Sequence, residues 1–196
     1  MLCTPKYYEV CADVIREVSE IFGTPRLFHL GLDEENYPNQ RFRGMVTIRQ
    51  EELWWHDAYF FFDQCEKNGA RPWVWSDYYW DHPDIFTKRM PKSVLQSNWF
   101  YGYFQDYNPG EYNYFGMSSY EKLEALGYDQ VPTCSTWANQ KNTLQTLLWC
   151  REKIDPSRLK GYLTAAWYNT AREHIYSLKN DAYRLALARQ QVYPTL

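Results

Sequence analysis

The sequence lacks the features that mark two large classes of protein. Its 196 residues include 21 Lys and Arg against 24 Asp and Glu, which gives a net charge of −3, and the basic residues form no stripe. A nucleic-acid-binding domain usually carries such a basic surface. No apolar run reaches the ~20 residues that a helix needs to cross a bilayer. We therefore expect no nucleic-acid partner and no membrane-spanning segment.

Cysteine is scarce, and the cysteines are widely scattered. The chain has 5 of them, with no Cys-x-x-Cys pair and no Cys/His spacing that is typical of a zinc site: Cys3, Cys11, Cys65, Cys134 and Cys150. Free, mostly buried thiols are typical of proteins in a reducing compartment. We expect these thiols to be free, and we expect no metal or other cofactor.

The first residues also lack the pattern of a secretory signal. Residues 1–6 have no basic segment followed by an apolar one. Together with the unpaired cysteines, this predicts a cytoplasmic location for the chain as given. The alternative is that a longer parent protein is exported and that its signal lies outside this sequence.

Aromatic residues, by contrast, are abundant. They make up 19% of the chain, with 9 Trp and 18 Tyr. Both side chains combine a flat apolar face with a polar edge. This is more than the core of such a chain needs, so we expect some of them to line a ligand surface. Filling of a large core is the alternative.

Hydrophobic periodicity and turn residues predict one helix followed by alternating strands and helices. The predicted strands are 26–32, 71–75, 93–99, 129–134 and 159–167. The predicted helices are 4–22, 47–68, 83–89, 118–126, 143–154 and 172–192, and a loop is predicted for 36–45. Ser118 and Glu121 are interpreted as a capping motif near the start of their helix.

This alternation favours parallel strands with crossover helices in one α/β domain spanning residues 1–196. A (β/α)8 TIM barrel needs eight such units and typically about 250 residues. The chain holds about five units, so we predict an incomplete barrel of the TIM type. An open doubly wound sheet is the alternative, although the glycine-rich phosphate loop typical of that fold is absent.

Acidic and aromatic residues follow the predicted strands. They are Asp33 and Glu34, Trp75 and Asp77, Asn98 and Trp99, Trp137, and Trp167. In a parallel barrel the carboxyl ends of all strands meet at one face, where active sites lie. Burial among aromatic walls raises the pKa of a carboxyl group, so one acid can stay protonated beside an ionised neighbour. Indole faces and a carboxylic acid together suit a sugar ring.

Alternation along the first strand predicts how its end is oriented. It places two sets of residues on opposite faces: Phe28, Leu30 and Leu32, and His29, Gly31 and Asp33. Asp33 then points inward, and Glu34 must lie past the regular strand, where the backbone turns. We expect both carboxylates to converge on one pocket. Glu35 is expected to be a solvated or helix-facing bystander.

The segment His29-Leu30-Gly31-Leu32-Asp33-Glu34 resembles the His-x-Gly-x-Asp-Glu motif of the family-20 glycoside hydrolases, the β-N-acetylhexosaminidases. In that family the motif ends the fourth strand of a (β/α)8 barrel, and later strands end in Trp. Trp75, Trp99 and Trp167 occupy similar points. The resemblance covers nearly the whole chain in order, as strands four to eight.

The resemblance implies hydrolysis of β-linked N-acetylhexosamine (GlcNAc or GalNAc) by a retaining, substrate-assisted mechanism, which is an exception to the two-carboxylate scheme. Glu34 would protonate the leaving oxygen and later activate water. Asp33 would hold the acetamido N–H and stabilise the developing oxazolinium charge. His29 would support the two acids from the layer of residues that surrounds them.

The resemblance also implies substrate-binding roles. Trp75, Trp99 and Trp167 would wall the sugar, and Asp77 would bond a sugar hydroxyl or the acid pair. Two positions depart from the family pattern. Trp137 lies near the place of the family's acetamido-orienting Tyr, and Asn169 replaces the Glu of the family's Trp-x-Glu, which bears on the sugar preference.

The family's strands one to three, with a substrate-binding Arg, have no counterpart in this sequence. Two alternatives to a carbohydrate-cleaving enzyme therefore stay open. One is a non-catalytic, carbohydrate-binding barrel relative. The other is a fragment that functions only when assembled, either with another copy of itself or with a missing N-terminal half.

Overall fold

The computed structural model describes residues 2–194 and contains two compact units, Met1–Leu95 and Gln96–Leu196. Each unit combines helices with short parallel strands. This is the mixed α/β class that the sequence predicts. Closure into a barrel and organisation as a single domain stay predictions, and the two units are described separately below.

The first unit is built around a parallel pair of strands. Its elements are α1 (Pro5–Ile21), β1 (Leu27–His29), α2 (Tyr37–Phe42), α3 (Glu51–Lys67), β2 (Arg71–Trp75), α4 (Tyr78–Asp81) and α5 (Pro83–Arg89). β1 and β2 pair with Leu27 opposite Arg71 and His29 opposite Trp73. Helix α3 contacts both α1 and β2 and buries Trp54 and Trp55 almost completely. The core of this unit therefore lies around α3.

Local signals explain where α1 begins and ends. The Thr4 hydroxyl accepts a hydrogen bond from the backbone N–H of Tyr7 at 3.3 Å, and Pro5 occupies the first helical turn. At the other end Gly23 has a φ of 65°, which glycine adopts readily. The observed bounds match the predicted helix because both signals are encoded within a few residues.

Replacing Thr4 by Ala is expected to destabilise the first unit by about 1 kcal/mol, because the N–H of Tyr7 loses its cap. Thr4→Ser keeps the hydroxyl and is the matched control, expected to stay close to the wild type. Urea unfolding followed by circular dichroism measures both. Equal stability of the Ala and Ser variants would show that the cap contributes nothing.

The second unit begins within β3 (Leu95–Ser97) and continues with parallel strands. Its further elements are α6 (Tyr112–Ala125), β4 (Thr133–Cys134), α7 (Asn142–Lys153), β5 (Leu163–Thr164), a 3-10 turn (Arg172–His174) and α8 (Ile175–Val192). β4 and β5 pair with Thr133 opposite Leu163. Single parallel bridges join Gln96 to Gln130 and Trp99 to Thr133. Cys134, Leu147, Ala188 and Val192 form one cluster of its core.

Several elements differ from the predicted ones. β1 ends at His29 rather than at 32, because Gly31 and Leu32 take positive φ values of 78° and 70°. The predicted loop 36–45 contains α2, which Asn36 caps by accepting from the N–H of Asn39 at 3.0 Å. These differences share one cause: the hydrophobic pattern does not report backbone turns or short capped helices.

The capping motif predicted for α6 is wrong. The helix begins at Tyr112, so Ser118 lies in its interior. Its neighbour Ser119 donates from its hydroxyl to the carbonyl of Phe115, one turn back, at 2.6 Å. A serine inside a helix can satisfy its hydroxyl in this way without ending the helix.

The cysteines lie as the sequence predicts. All five cysteines are free, and Cys65, Cys134 and Cys150 are buried. Within residues 2–194, no helix has the length and apolar character needed to span a membrane. The same part of the chain contains no group of three or more His, Cys, Asp and Glu side chains that could hold a metal ion.

Candidate functional site

The chain turns sharply just after β1. Gly31, Leu32 and Glu34 have φ values of 78°, 70° and 54°. Glycine adopts this region freely, whereas a residue with a side chain pays about 1–3 kcal/mol of strain there. The alternation predicted through Asp33 therefore stops at the end of β1, and Leu32 is buried. Strained backbone of this kind concentrates at functional sites.

Glu34 is held by its backbone and presents its carboxylate. Its N–H donates to Asp77 Oδ2 at 2.7 Å, and its carbonyl accepts from Asn39 Nδ2 at 3.1 Å. The carboxylate accepts from Arg43 at 3.2 Å, and both side chains are about half exposed. An ion pair with this exposure is weak and easily exchanged. The arrangement fixes the position of Glu34 and leaves its carboxylate accessible.

Glu34 lines a small depression in the first unit. Its neighbours there include Glu35, Asp77, Tyr78 and His82, and its free volume is enough for about one water molecule. Asp33 is not among the lining residues. Within this unit the adjacent carboxylates of Asp33 and Glu34 therefore do not share this depression, which is too small for a sugar ring.

His29 lies between two tryptophans at the end of β1. Its ring centroid is 4.6 Å from that of Trp73 and 4.6 Å from that of Trp75, both in edge-on geometry. Nδ1 accepts from the N–H of Gly31 at 3.0 Å, which assigns the proton of the neutral ring to Nε2. Nε2 is buried and has no partner among residues 2–194. Burial lowers the pKa of His29 to about 4.

We expect His29 to stay neutral above pH 5. Because its folded pKa is about 4 and its ordinary value is 6.5, the unfolded chain binds the proton first. Stability should therefore fall as the pH drops from 6.5 towards 4. An NMR titration of the imidazole signals measures this, with His29→Gln used to assign the signal. A His29 resonance that titrates near pH 6.5 would contradict the buried, neutral state.

The sequence predicts that Glu35 is solvated or faces a helix, and the first of these alternatives is wrong. Its side chain is largely buried and forms an ion pair with Arg49, whose side chain also bonds Asp57 at 3.0 Å. Asp57 is buried as well and accepts from the hydroxyl of Tyr8. Burial raises the pKa of Glu35, and the positive charge of Arg49 partly offsets this rise. The exposed Glu34 is therefore followed directly by a buried charged network.

One signal in the sequence pointed to this network. Asp57 lies on the apolar face of α3, together with Trp54, Ala58 and Phe61. A charged residue on such a face is almost never buried unless it is paired. The identity of its partner is not encoded locally, because Arg49 precedes the helix and Glu35 lies after β1.

The second unit carries a cluster of three aromatic rings, in which Trp167 is exposed, Trp99 is partly buried and Tyr101 is buried. Trp99 stacks on Tyr101 with centroids 5.3 Å apart, and Tyr101 meets Trp167 edge-on at 6.1 Å. Trp167 is 52% exposed and has a φ of 53°. Sequence reasoning missed Tyr101, although it follows Trp99 by two residues. Exposed indoles of this kind provide flat apolar surface with a polar edge.

The remaining predicted residues of this unit lie at the surface. Trp137 is 62% exposed, and its backbone N–H donates to the hydroxyl of Ser135 at 3.1 Å. Asn169 uses its side-chain oxygen to accept from the N–H of Ala171 at 3.0 Å. The first unit thus holds His29, Asp33, Glu34, Trp75 and Asp77, and the second holds Trp99, Trp137, Trp167 and Asn169. Convergence of the two sets stays a prediction.

No protein-family model matches the chain, and no curated protein matches its sequence. Solved structures do match its fold. One is an exo-β-N-acetylglucosaminidase of glycoside hydrolase family 20 from Vibrio harveyi, in complex with N-acetylglucosamine; it is 16% identical with a TM-score of 0.55, and the match covers 94% of this chain and 31% of that one.

An inactive mutant of the same Vibrio harveyi enzyme matches with a TM-score of 0.52 at 16% identity, over 97% of this chain and 34% of that one. The chain therefore spans about a third of the length of the solved structures that it matches. At this identity the likeness concerns the fold. The chain is similar in fold to part of the family-20 exo-β-N-acetylglucosaminidases.

Proposed function

We propose that the chain is the catalytic part of a glycoside hydrolase that removes β-linked N-acetylhexosamine (GlcNAc or GalNAc) residues. Two independent features support this. The motif from His29 to Glu34 resembles that of the family-20 enzymes. The fold is similar to part of such an enzyme over 94% of the chain. We further propose that the strands correspond to strands four to eight of a (β/α)8 barrel.

The observation that carries this proposal is the state of Glu34. Its backbone is strained, with a φ of 54°, and Asp77 holds its N–H at 2.7 Å. Its carboxylate is nevertheless about half exposed, and its hydrogen-bond partner among residues 2–194 is the exposed side chain of Arg43. A residue whose main chain is fixed and whose acid is accessible is suited to general acid and base catalysis.

The proposed reaction has two steps. The acetamido oxygen of the substrate attacks the anomeric carbon, and Glu34 donates its proton to the departing glycosidic oxygen. The resulting oxazolinium ring carries positive charge, which Asp33 stabilises through the acetamido N–H. Water then attacks the anomeric carbon while Glu34 takes a proton from it. The carboxylic acid is thereby restored, and the configuration at the anomeric carbon is retained.

The other predicted residues would bind the sugar or position Glu34 rather than react with the sugar. Trp75, Trp99 and Trp167 offer indole faces for the C–H side of the ring. Asp77 bonds the Glu34 N–H and has a positioning role in this scheme. Trp137 and Asn169 are both exposed. The polar edge of the Trp137 indole and the side-chain amide of Asn169 would form hydrogen bonds with sugar hydroxyls.

Release of a chromogenic leaving group from a β-N-acetylglucosaminide tests the proposal directly. The 196-residue chain is assayed first, followed by the longer protein if its gene encodes one. The expected result is turnover with retention of configuration, which NMR of the first-formed sugar measures. No turnover by the longest gene product would show that the chain is not a glycosidase.

A non-catalytic, carbohydrate-binding role is the second candidate function. The exposed indoles of Trp137 and Trp167 and the small size of the depression beside Glu34 favour it. It predicts that N-acetylglucosamine quenches Trp fluorescence without any turnover. Trp167→Ala should then weaken binding, whereas Glu34→Gln should leave it nearly unchanged. Turnover that depends on Glu34 would exclude this role.

Assembly is the third possibility, since the chain spans about a third of the solved structures that it matches. Another copy of the chain or a missing N-terminal half would then complete the site. Light scattering of the purified chain distinguishes the cases. A stable oligomer supports assembly with another copy, and a clean monomer with activity excludes a requirement for any partner.

A further inference from the structure

The second unit contains a cavity that the proposed hydrolysis does not use. It is partly open to solvent, has a volume of about 590 Å³ and is lined by α7, α8 and the segment that leads into β5. This volume lies within the ~300–1,000 Å³ that is usual for small-molecule sites. The cavity adjoins Lys160, Gly161 and Tyr162 at the amino end of β5, whereas Trp167 follows its carboxyl end. It is therefore distinct from the candidate sugar-binding residues.

The walls of this cavity are apolar. Leu147, Ile154, Leu159 and Leu185 contribute aliphatic surface, and Leu147 and Ile154 are buried. The two tyrosine hydroxyls at the cavity are engaged with each other: Tyr162 and Tyr193 form a hydrogen bond of 2.8 Å. The interior thus offers apolar surface and few free neutral polar groups. An apolar molecule would gain free energy by leaving water for this space.

The charged residues that line the cavity are all positive. They are Arg151, Lys160 and Arg189. Arg151 donates to the carbonyl of Val192 at 2.7 Å, and Lys160 lies 3.5 Å from Asp129. Within residues 2–194, no carboxylate forms an ion pair with Arg151 or Arg189. The Arg151 guanidinium also lies 5.7 Å from the centre of the Tyr193 ring. Two guanidinium groups without a carboxylate partner in this part of the chain therefore border an apolar space.

We propose that this cavity binds an amphiphilic anion, a carboxylate carried on a medium-length apolar chain. The apolar chain would pack against the leucine and isoleucine walls. The carboxylate would accept charge-assisted hydrogen bonds from the guanidinium groups of Arg151 and Arg189, whose planar geometry matches it. A neutral alkane would leave those two guanidinium groups without a carboxylate, and a sugar would find few neutral polar groups.

Decanoate, below its micellar concentration, is the probe, with decanol and decyltrimethylammonium as neutral and cationic controls of the same chain length. Isothermal titration calorimetry with the 196-residue chain should show binding of decanoate. Binding of decanol should be at least about tenfold weaker, because one charge-assisted hydrogen bond to the head group contributes that factor. Decyltrimethylammonium should not bind, because its positive head group would lie beside the guanidinium groups.

Variants locate the site. Arg189 is exposed, so Arg189→Gln should fold normally and weaken decanoate binding about tenfold. Lys179→Gln removes one positive charge from an exposed position of the same helix, outside the cavity, and should change binding less than twofold. Leu185→Trp fills the cavity and should abolish binding. Circular dichroism confirms that each variant retains its helices.

Any of the following results would overturn the proposal. One is absence of decanoate binding by the folded chain. Another is equal binding of decanol and decanoate, or equal effects of Arg189→Gln and Lys179→Gln, since either would show binding without recognition of the head group at this cavity. A third is a dimer, seen by light scattering, that Arg189→Gln dissociates, because the cavity would then be an interface between copies. None of these measurements requires glycosidase activity, so the outcome is independent of the proposed hydrolysis.

Discussion

Replacing Glu34 by Gln is expected to lower the rate of β-N-acetylhexosaminide hydrolysis by about 10²–10⁴-fold, which is the usual contribution of general acid and base catalysis. Gln has nearly the same shape but cannot donate a proton to the leaving oxygen. The backbone anchor of residue 34 to Asp77 involves only its N–H, so it persists in the variant. The measurement is kcat and KM for an aryl β-N-acetylglucosaminide.

The leaving group separates a catalytic acid from a structural residue. A strongly activated leaving group, such as dinitrophenolate, departs without protonation, so Glu34→Gln should lose far less rate with that substrate than with an alkyl glycoside. Glu20→Gln is the matched control, because Glu20 is also an exposed carboxylate in an ion pair, with Arg16 on α1. Equal losses for all leaving groups would argue that Glu34 acts only through structure.

Replacing Arg49 by Met is expected to destabilise the first unit by about 3–5 kcal/mol, because the loss of one partner leaves buried charges uncompensated. The side chain of Arg49 is only 7% exposed and joins Glu35 to Asp57. Met occupies similar space without the charge. Arg16→Met is the control on the surface of α1, where the ion pair is exposed and little change is expected.

The effect of Arg49→Met should depend on pH. Burial already raises the pKa of Glu35, and Arg49 is the main influence that lowers it. Without Arg49 the folded pKa rises further above the ordinary value of 4.5, so the folded variant binds a proton that the unfolded chain has lost. The destabilisation should therefore be largest near pH 7 and should shrink as the pH falls towards 4.5. Urea unfolding at pH 7 and pH 5 measures this.

A triple variant checks the cause of this destabilisation. Adding Glu35→Gln and Asp57→Asn to Arg49→Met removes the stranded charges and should recover part of the lost stability. The pH dependence that Glu35 adds to Arg49→Met should be absent from the triple variant, which keeps only the pH dependence of its other groups, such as His29. If Arg49→Met is as mild as Arg16→Met, the network has no structural importance and Glu35 tolerates burial without its partner.

The elements with strong local signals could be predicted from the sequence. The observed β2 (Arg71–Trp75) and α5 (Pro83–Arg89) have the predicted bounds, and α1 differs by one residue at each end. Proline at the first helical turn marks the start of α1 and α5 within a few residues. Two other elements are not predicted. Helix α6 begins at Tyr112 although its first turn has no side-chain cap. Helix α2 has both a cap at Asn36 and a proline in its first turn, but its six residues are too few to show a helical hydrophobic period.

For the candidate site, the sequence shows which residue types lie near one another along the chain, but it does not show their environments. The run that ends in Asp33, Glu34 and Glu35 looks uniform as a pattern. In the structure its last two members differ sharply: Glu34 is about half exposed, whereas Glu35 is mostly buried. Neither the anchor of Glu34 on Asp77, 43 residues away, nor the pairing of Glu35 with Arg49 has a local signature.

The sequence by itself determined the alternation of helices and strands, the acids that follow β1 and the aromatic residues that follow later strands, because periodicity and turn chemistry are properties of short segments. Only the tertiary structure decided which acid is accessible and which is buried. The physical reason is that the turn at Gly31 and Leu32 ends the strand alternation, and the charged partner of Glu35 comes from a distant segment. Desolvation and pairing, unlike periodicity, depend on residues that the fold brings together.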